Sequence, residues 1–266
     1  MNGQLALMTA LAAHGGRWLR DGARGPAPEL SSANSSFQYV GSFTAQVPRG
    51  FLRPTTTATS PEEWLLALYS RGVRDLSLIT DLSSRGPLPP HVASAFSNSG
   101  TWALLATGRS APTAWAIGWH VGNRDAPDSR IWSLAASNLP GEGHDAPRVG
   151  LAEARNGLRA ALGEIRIFAE RCEELNSWAT WFIRAETLLD DPGPAAPYHR
   201  DLLPRDASLD RRQLAAAAVQ GWVFGGMGSW NDGGPLDPAD QRAYERVGTN
   251  LYTALLLALP AAANGS

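Results

Sequence analysis

The chain has 266 residues, of which 44% are hydrophobic and 18% charged, and its formal net charge is −2 at pH 7. A chain of this length and composition buries a stable core without disulfides or a structural metal, which argues against bulk disorder. The near-zero charge, without a basic stripe, argues against nucleic acid as the main partner, because neutralisation of phosphates carries much of that affinity.

All 23 basic residues are arginines, a usage that a GC-rich bacterial genome explains. The chemical consequence holds whatever the cause. A chain without lysine cannot form a Schiff base, attach pyridoxal phosphate or supply the lysine of a phosphate-binding loop. The kinase lysine and Ser-Lys nucleophile pairs are excluded for the same reason. Since no other motif indicates a cofactor, we expect none.

The cysteine usage and the apolar segments predict a cytoplasmic protein. Cys172 is the single cysteine, so no internal disulfide is available. The apolar run at residues 5–13 lacks the preceding basic residues of a signal peptide. No apolar stretch is long enough to span a bilayer, and we therefore expect no membrane partner.

The N-terminal half shows a helix, a loop and then a series of strands. Residues 2–20 have the apolar spacing of a helix, and the alternation of residues 37–47 is typical of a strand. Ser60, Pro61 and Glu63 form a helix-start pattern. The helix that begins there is expected to end near Gly72. Further strands are predicted at residues 73–80, 101–107, 113–121 and 130–137. The short connections of the last three favour antiparallel hairpins.

The C-terminal half is predicted to be helical. Apolar residues recur at helical spacing over residues 158–189, with a break near residues 176–177. Residues 191–206, here called the proline-rich loop, contain four prolines and should be irregular. Ser208 and Asp237 are candidate caps of two further helices.

Together these elements predict an α+β fold. Residues 1–140 are expected to form a mainly antiparallel sheet with covering helices. Residues 150–263 are expected to form a helical half that packs on this sheet as one structural unit. The oligomeric state does not follow from the sequence.

The most unusual segment is residues 225–234, here called the glycine-rich turn, which holds five glycines in ten residues. Glycine permits close backbone approach and left-handed dihedral angles. The turn could therefore cradle a ligand or partner, or it could be a helix end whose tryptophan fills the core. It matches neither a dinucleotide fingerprint nor a hydrolase elbow. The candidate binding residues are Gly226, Gly228, Ser229, Trp230, Asn231 and Asp232.

The proline-rich loop holds a second candidate site, at Tyr198, His199 and Asp201. His199 could act as a base oriented by Asp201, since loops carry catalytic and binding residues more often than core elements do. A surface residue or a structural hydrogen bond is the alternative for such a histidine. No second His or Cys stands at ligand spacing, so we expect no metal site.

Two function classes remain open. The first is a non-catalytic binding protein of a bacterium, with a partner, inhibitor or immunity-type role and a protein or small molecule as ligand. Absent motifs, ten tryptophans and near-neutral charge favour it. The second is a hydrolase-type enzyme with a site between the two halves, using His199, Asp201 and Asp232. The two predict different geometry: the enzyme requires His199 and Asp232 to share a pocket.

Overall fold

The computed structural model describes residues 1–47, 55–81, 89–94, 98, 102–109, 111–139, 149–225 and 228–265. It begins with a nearly continuous N-terminal helix, residues 3–20, as the apolar spacing predicts. The helix comprises α1 (Gly3–Ala10), a π-helical segment (Leu11–Gly16) and α2 (Arg17–Arg20). Nearly all of α1 is buried, including the hydroxyl-bearing Thr9, so this helix lies inside the molecule.

The sheet has the strand order β2-β1-β6-β5-β4-β3. All neighbouring pairs are antiparallel except β1 and β6, which run parallel. The predicted mainly antiparallel sheet is therefore confirmed, while the short strand β2 and the parallel pair were not foreseen. The strands are β1 (Val40–Val47), β2 (Thr56–Ala58), β3 (Val73–Thr80), β4 (Trp102–Gly108), β5 (Thr113–Val121) and β6 (Trp132–Leu139).

One face of the sheet carries the core. Helix α3 (Pro61–Ser70) starts at Ser60, whose hydroxyl accepts from the Glu63 amide, as the capping pattern predicts. Its fully buried Trp64 packs between Phe43 of β1 and Trp115 of β5, with ring centroids 6.0 and 5.5 Å apart. The N-terminal helix packs against β3 and against the C-terminal helix at residues 241–263. The short helix α4 (Pro90–Ala93) precedes β4.

The C-terminal half is a group of packed helices, as predicted. They are α5 (Leu151–Arg171), α6 (Asn176–Leu188), α7 (Leu209–Gly221) and α8 (Gln241–Ala263), with short 3-10 turns at Glu173–Leu175, Trp230–Asp232 and Pro238–Asp240. The predicted break near residues 176–177 falls at the start of α6. Cys172 lies buried at the C-terminal end of α5, where burial raises the pKa of its thiol.

The C-terminal helices pack on the sheet, which confirms that part of the fold prediction. The Asn264 side chain, at the end of α8, pairs with the backbone of Leu78 at the open edge of β3. It accepts from the Leu78 N–H at 2.7 Å and donates to the Leu78 carbonyl at 2.7 Å. The Thr80 hydroxyl also donates to the Leu256 carbonyl. The predicted boundary between the halves falls mostly in residues 140–148, which lie outside the described residues.

Candidate functional site

The proline-rich loop meets residues 31–39, here called the serine loop, through Asp201. The Asp201 carboxylate accepts from the Ser35 amide at 2.9 and 3.1 Å and also from the Ser35 hydroxyl. Its backbone carbonyl accepts from the Asn34 side chain at 3.1 Å and lies 3.0 Å from Nε2 of His14. Asp201 thus joins three segments that are far apart in the sequence.

The π-helical segment of the N-terminal helix places His14 at this junction. Such widened turns occur often at functional sites. Two glycines follow His14 and allow a close approach to neighbouring elements: a Cβ at Gly16 would collide with the Leu76 carbonyl of β3, and one at Gly15 with the Leu65 side chain. Burial lowers the pKa of His14, which favours the neutral form of its imidazole at this junction.

His199 lies beside this junction in a strained conformation. Its φ of 54° is in the left-handed region, which is uncommon for a residue other than glycine. Nδ1 of His199 lies 3.4 Å from the Ser36 hydroxyl, and its ring packs edge-on against Tyr198. Burial lowers the pKa of His199 to about 4, so the ring is neutral at physiological pH. No hydrogen bond joins Asp201 to His199, although the sequence suggested that pairing.

A cleft of about 390 Å³, here called the aromatic cleft, opens beside His199. It lies where β1 and β6 begin and β5 ends, because Val40 pairs with Trp132 and Trp132 pairs with Val121. Its aromatic walls are Tyr39, Trp119, Trp132 and Tyr198. The polar side chains lining it are Asn2, Gln4, Ser35, Ser36, Gln38 and His199.

Trp119 is held in place from both sides. Its backbone N–H and C=O pair with the Asn98 side chain at 2.8 and 2.9 Å. Its ring packs 3.3 Å from the position that a Cβ would take at Gly3, and its centroid lies 5.3 Å from that of Trp132. The indole Nε1 has no hydrogen-bond partner. Gln4 donates to the Ile117 carbonyl, while its Oε1 also lacks a partner. Two residues of the cleft thus retain one unpaired donor and one unpaired acceptor.

A second cavity, of about 670 Å³, lies between the proline-rich loop and α7; it is here called the arginine cavity. Its apolar lining includes the buried Leu202, Leu203 and Val219. Its charged lining consists of Arg200, Arg205, Arg212 and Asp201. Ser35, Gln38, Tyr198 and His199 line both cavities and so form the wall that they share.

The glycine-rich turn lies elsewhere, against the core of the helical half. Trp230 has no exposed surface and stacks on Tyr244 with ring centroids 4.9 Å apart. Phe168, Trp178 and Phe182 pack edge-on around it. The Tyr244 hydroxyl donates to the Trp230 carbonyl. The Trp230 side chain is therefore core structure and offers no surface to a ligand or partner, contrary to the candidate binding role.

The polar side chains of the same turn form hydrogen bonds within the turn and to the His91 carbonyl. The Asp232 carboxylate accepts from the Ser229 amide and hydroxyl at 2.9 and 3.2 Å, which caps the 3-10 turn. Asn231 donates to the His91 carbonyl at 3.0 Å. Gly228 has a left-handed φ of 75°. Gly226 lies outside the described residues. Neither cavity lined by His199 includes Asp232, so the structure does not join the two candidate acids into one site.

The sequence pointed to part of this site and missed the rest. Tyr198, His199 and Asp201 lie at the cavities, whereas Ser36, Gln4 and the exposed faces of Trp119 and Trp132 carried no local signal. Among the described residues, no three His, Cys, Asp or Glu side chains could hold a metal ion. No helix in the described ranges is long and apolar enough to cross a bilayer.

Comparison with known proteins does not identify a family for this chain. No protein-family model matches the chain, and neither the curated proteins nor the solved structures contain a significant match. The chemistry of the site therefore rests on the residues themselves.

Proposed function

We propose that this chain is a non-catalytic binding protein that holds a small molecule with an uncharged ring in the aromatic cleft. The observation that carries the proposal is the composition of the cleft. Four aromatic side chains line it together with uncharged amides and hydroxyls, and of the described residues His199 is the one titratable acid or base that lines it apart from the tyrosines. His199 is neutral above about pH 4. A charged ligand would find no countercharge there, whereas a flat ring would find aromatic faces.

The aromatic side chains of the cleft are only partly buried and keep some accessible surface. The Tyr39 side chain is 53% exposed, and Trp119 and Trp132 are half-buried. Stacking of a flat ring on such a side chain contributes roughly 1–3 kcal/mol to binding, as alanine substitutions in other proteins show. Two or three such contacts together contribute roughly 2–9 kcal/mol, so a ligand held by stacking alone would bind weakly once the cost of association is included.

The polar groups of the cleft favour a ring with hydrogen-bonding edges. Gln4 Oε1 is an unpaired acceptor and Trp119 Nε1 an unpaired donor, and both are shielded from water. A buried polar atom without a partner costs about 1–3 kcal/mol. Because neither atom is exposed at the cleft surface, recovering that cost requires the two side chains to turn toward a ligand that brings a donor and an acceptor. Heterocycles and sugars have such edges, while a plain hydrocarbon does not.

The same geometry argues against catalysis at His199. In a hydrolytic triad a carboxylate orients the histidine and stabilises its charged form. Here the carboxylate of Asp201 is bonded to Ser35, and no carboxylate among the described residues hydrogen-bonds to His199. A histidine with a pKa of about 4 is also a weak base at neutral pH.

A ligand-detected binding screen tests the proposal. Uncharged ring compounds would be screened against the wild type and against Tyr39→Ala and Trp132→Ala. Ile167→Ala is the matched control, since Ile167 is 53% exposed on α5, away from the cleft. We expect compounds that bind the wild type and the control equally but bind both cleft variants at least about tenfold more weakly. Absence of binders, or binders indifferent to the cleft variants, would contradict the proposal.

One observation favours a hydrolase as the second candidate function. The Ser36 hydroxyl lies 3.4 Å from Nδ1 of His199, a distance that closes to a hydrogen bond with a small shift. A fluorophosphonate probe, which labels activated serines, separates the two functions. The proposal expects no labelling of the folded protein beyond that of heat-denatured protein. Labelling that disappears in Ser36→Ala would favour the hydrolase.

A further inference from the structure

We infer that the arginine cavity binds an anionic group, a phosphate or carboxylate, and that this group belongs to the same ligand whose ring occupies the aromatic cleft. The identity of the ring rests on the proposed function above. The anion site itself stands on separate observations of charge, pairing and cavity shape.

The charge in the arginine cavity is unbalanced. Among the described residues, Arg200, Arg205 and Arg212 line it with Asp201 as the one acid. Asp206 is the next acid along the proline-rich loop, and it already pairs with Arg17 of the N-terminal helix. The cavity therefore carries two more positive than negative side chains.

The arginines of this cavity also differ from many others in the described chain. Arg155 and Arg159 pair with Asp190, and Arg166 pairs with Glu170 and Glu186. By contrast, none of the three arginines of the cavity forms an ion pair with a described residue, and Arg212 makes one hydrogen bond, from Nε to the Ala207 carbonyl. Their planar guanidinium groups retain donors suited to a carboxylate or phosphate.

The lining of the cavity would place a bound anion next to apolar side chains. Buried Leu202, Leu203 and Val219 lie among its lining residues, whereas the three arginines are exposed. Tyr198 and His199 form part of the wall shared with the aromatic cleft. A molecule that crosses this wall would place its ring against tryptophan and its acidic group among arginines. The ligand class is thus a planar heterocycle or sugar linked to a phosphate or carboxylate, of which a nucleoside monophosphate is one example.

The anion site is tested first with an anion that has no ring. Binding of inorganic pyrophosphate would be measured by calorimetry at constant ionic strength, on the wild type and on the Arg200→Gln, Arg205→Gln double variant. Arg159→Gln plus Arg184→Gln, on the α5 and α6 helices, is the matched control for net charge. We expect the double variant to bind at least tenfold more weakly and the control to match the wild type. No binding to the wild type, or equal binding to the double variant, would overturn the inference.

A second set of titrations distinguishes a phosphate from a carboxylate ligand and tests this inference separately from the proposed function. Malonate replaces pyrophosphate to decide between carboxylate and phosphate. Adenosine and adenosine monophosphate then serve as a matched pair with the same ring. A phosphate-dependent gain that disappears in the arginine double variant supports a single ligand across both cavities. Pyrophosphate binding without a further gain from the ring would retain the anion site and count against the aromatic cleft.

Discussion

The glycine-rich turn and the proline-rich loop both looked like sites in the sequence, yet the structure uses them in opposite ways. The turn directs Trp230 into a cage of four aromatic rings, and its Ser229 and Asp232 side chains form its own cap. The loop is held at Asp201 and leaves Tyr198 and His199 on the wall of two cavities. The glycine-rich turn therefore accompanies a buried tryptophan, while the proline-rich loop, fixed by Asp201, lines two cavities.

Removal of the Trp230 side chain should produce the largest effect and sharpen this contrast. Trp230→Ala leaves a cavity among Phe168, Trp178 and Tyr244, and we expect a loss of about 3–5 kcal/mol in the free energy of unfolding. Urea unfolding measures it, with the half-exposed Trp132→Ala as the comparison that should lose clearly less. Equal losses at the two positions would show that Trp230 is not the core residue described above.

The pH dependence of stability should reveal the buried, neutral His199. Its pKa of about 4 in the folded state lies below the 6.5 of an exposed histidine, so between these values the unfolded chain binds the extra proton. The contribution of His199 to the free energy of unfolding is fully present above about pH 6.5. It decreases as the pH falls and is lost by about pH 4. The loss from this group amounts to as much as about 3 kcal/mol.

His199→Asn tests this dependence, because asparagine tolerates the left-handed backbone without titrating. Unfolding measured from pH 7 to pH 4 should decline less steeply in this variant than in the wild type. His120→Asn, at an exposed side chain of β5, is the control. Some decline should persist, since burial also lowers the pKa of His14 and His91. An unchanged slope in His199→Asn would contradict the burial of its neutral form.

Asp201 and Asp232, which the sequence placed in one hypothetical site, should differ in how their mutation affects ligand binding. Asp201→Ala removes the acceptor of the Ser35 amide and hydroxyl, and we expect a loss of about 1–3 kcal/mol in the free energy of unfolding together with weaker ring binding in the aromatic cleft, which Ser35 lines. Asp232→Ala removes a cap, so about 1 kcal/mol should be lost with binding unchanged. Stability and ligand titrations on both variants provide the check. Weakened binding in Asp232→Ala would mean that the turn does belong to the site.

Tyr39→Ala should show the smallest change in stability and a clear change in binding. Its side chain is 53% exposed, so we expect a loss below about 0.5 kcal/mol in the free energy of unfolding. The same change removes one aromatic face of the cleft and should weaken ring binding at least about tenfold. Thermal unfolding and a ligand titration on one preparation measure both. A stable variant with wild-type affinity would remove Tyr39 from the site.

Most of the secondary structure could be predicted because its signals are local. The Ser60 cap and the proline of α3, the strand at residues 73–80 and the break before α6 all lie within a few residues of their cause. The parallel pairing of β1 with β6 could not be predicted, since it joins segments about 90 residues apart without a local marker.

Only part of the candidate site could be predicted, again because its residues come from distant segments without a local marker. Trp115 of β5 is buried, while Trp119 of the same strand lies near its end, beside Gly3. Gln4 and Trp132 reach the cleft from opposite ends of the N-terminal half. Only the assembled topology shows that these side chains meet.

The most direct test of the central claim is a crystallographic soak of the protein with a set of small uncharged heterocycles and sugars. We predict bound compounds in the aromatic cleft, with a ring against Tyr39, Trp119 or Trp132 and a polar edge toward Gln4. An empty cleft, with compounds clustered instead at the glycine-rich turn or scattered over the surface, would contradict the account.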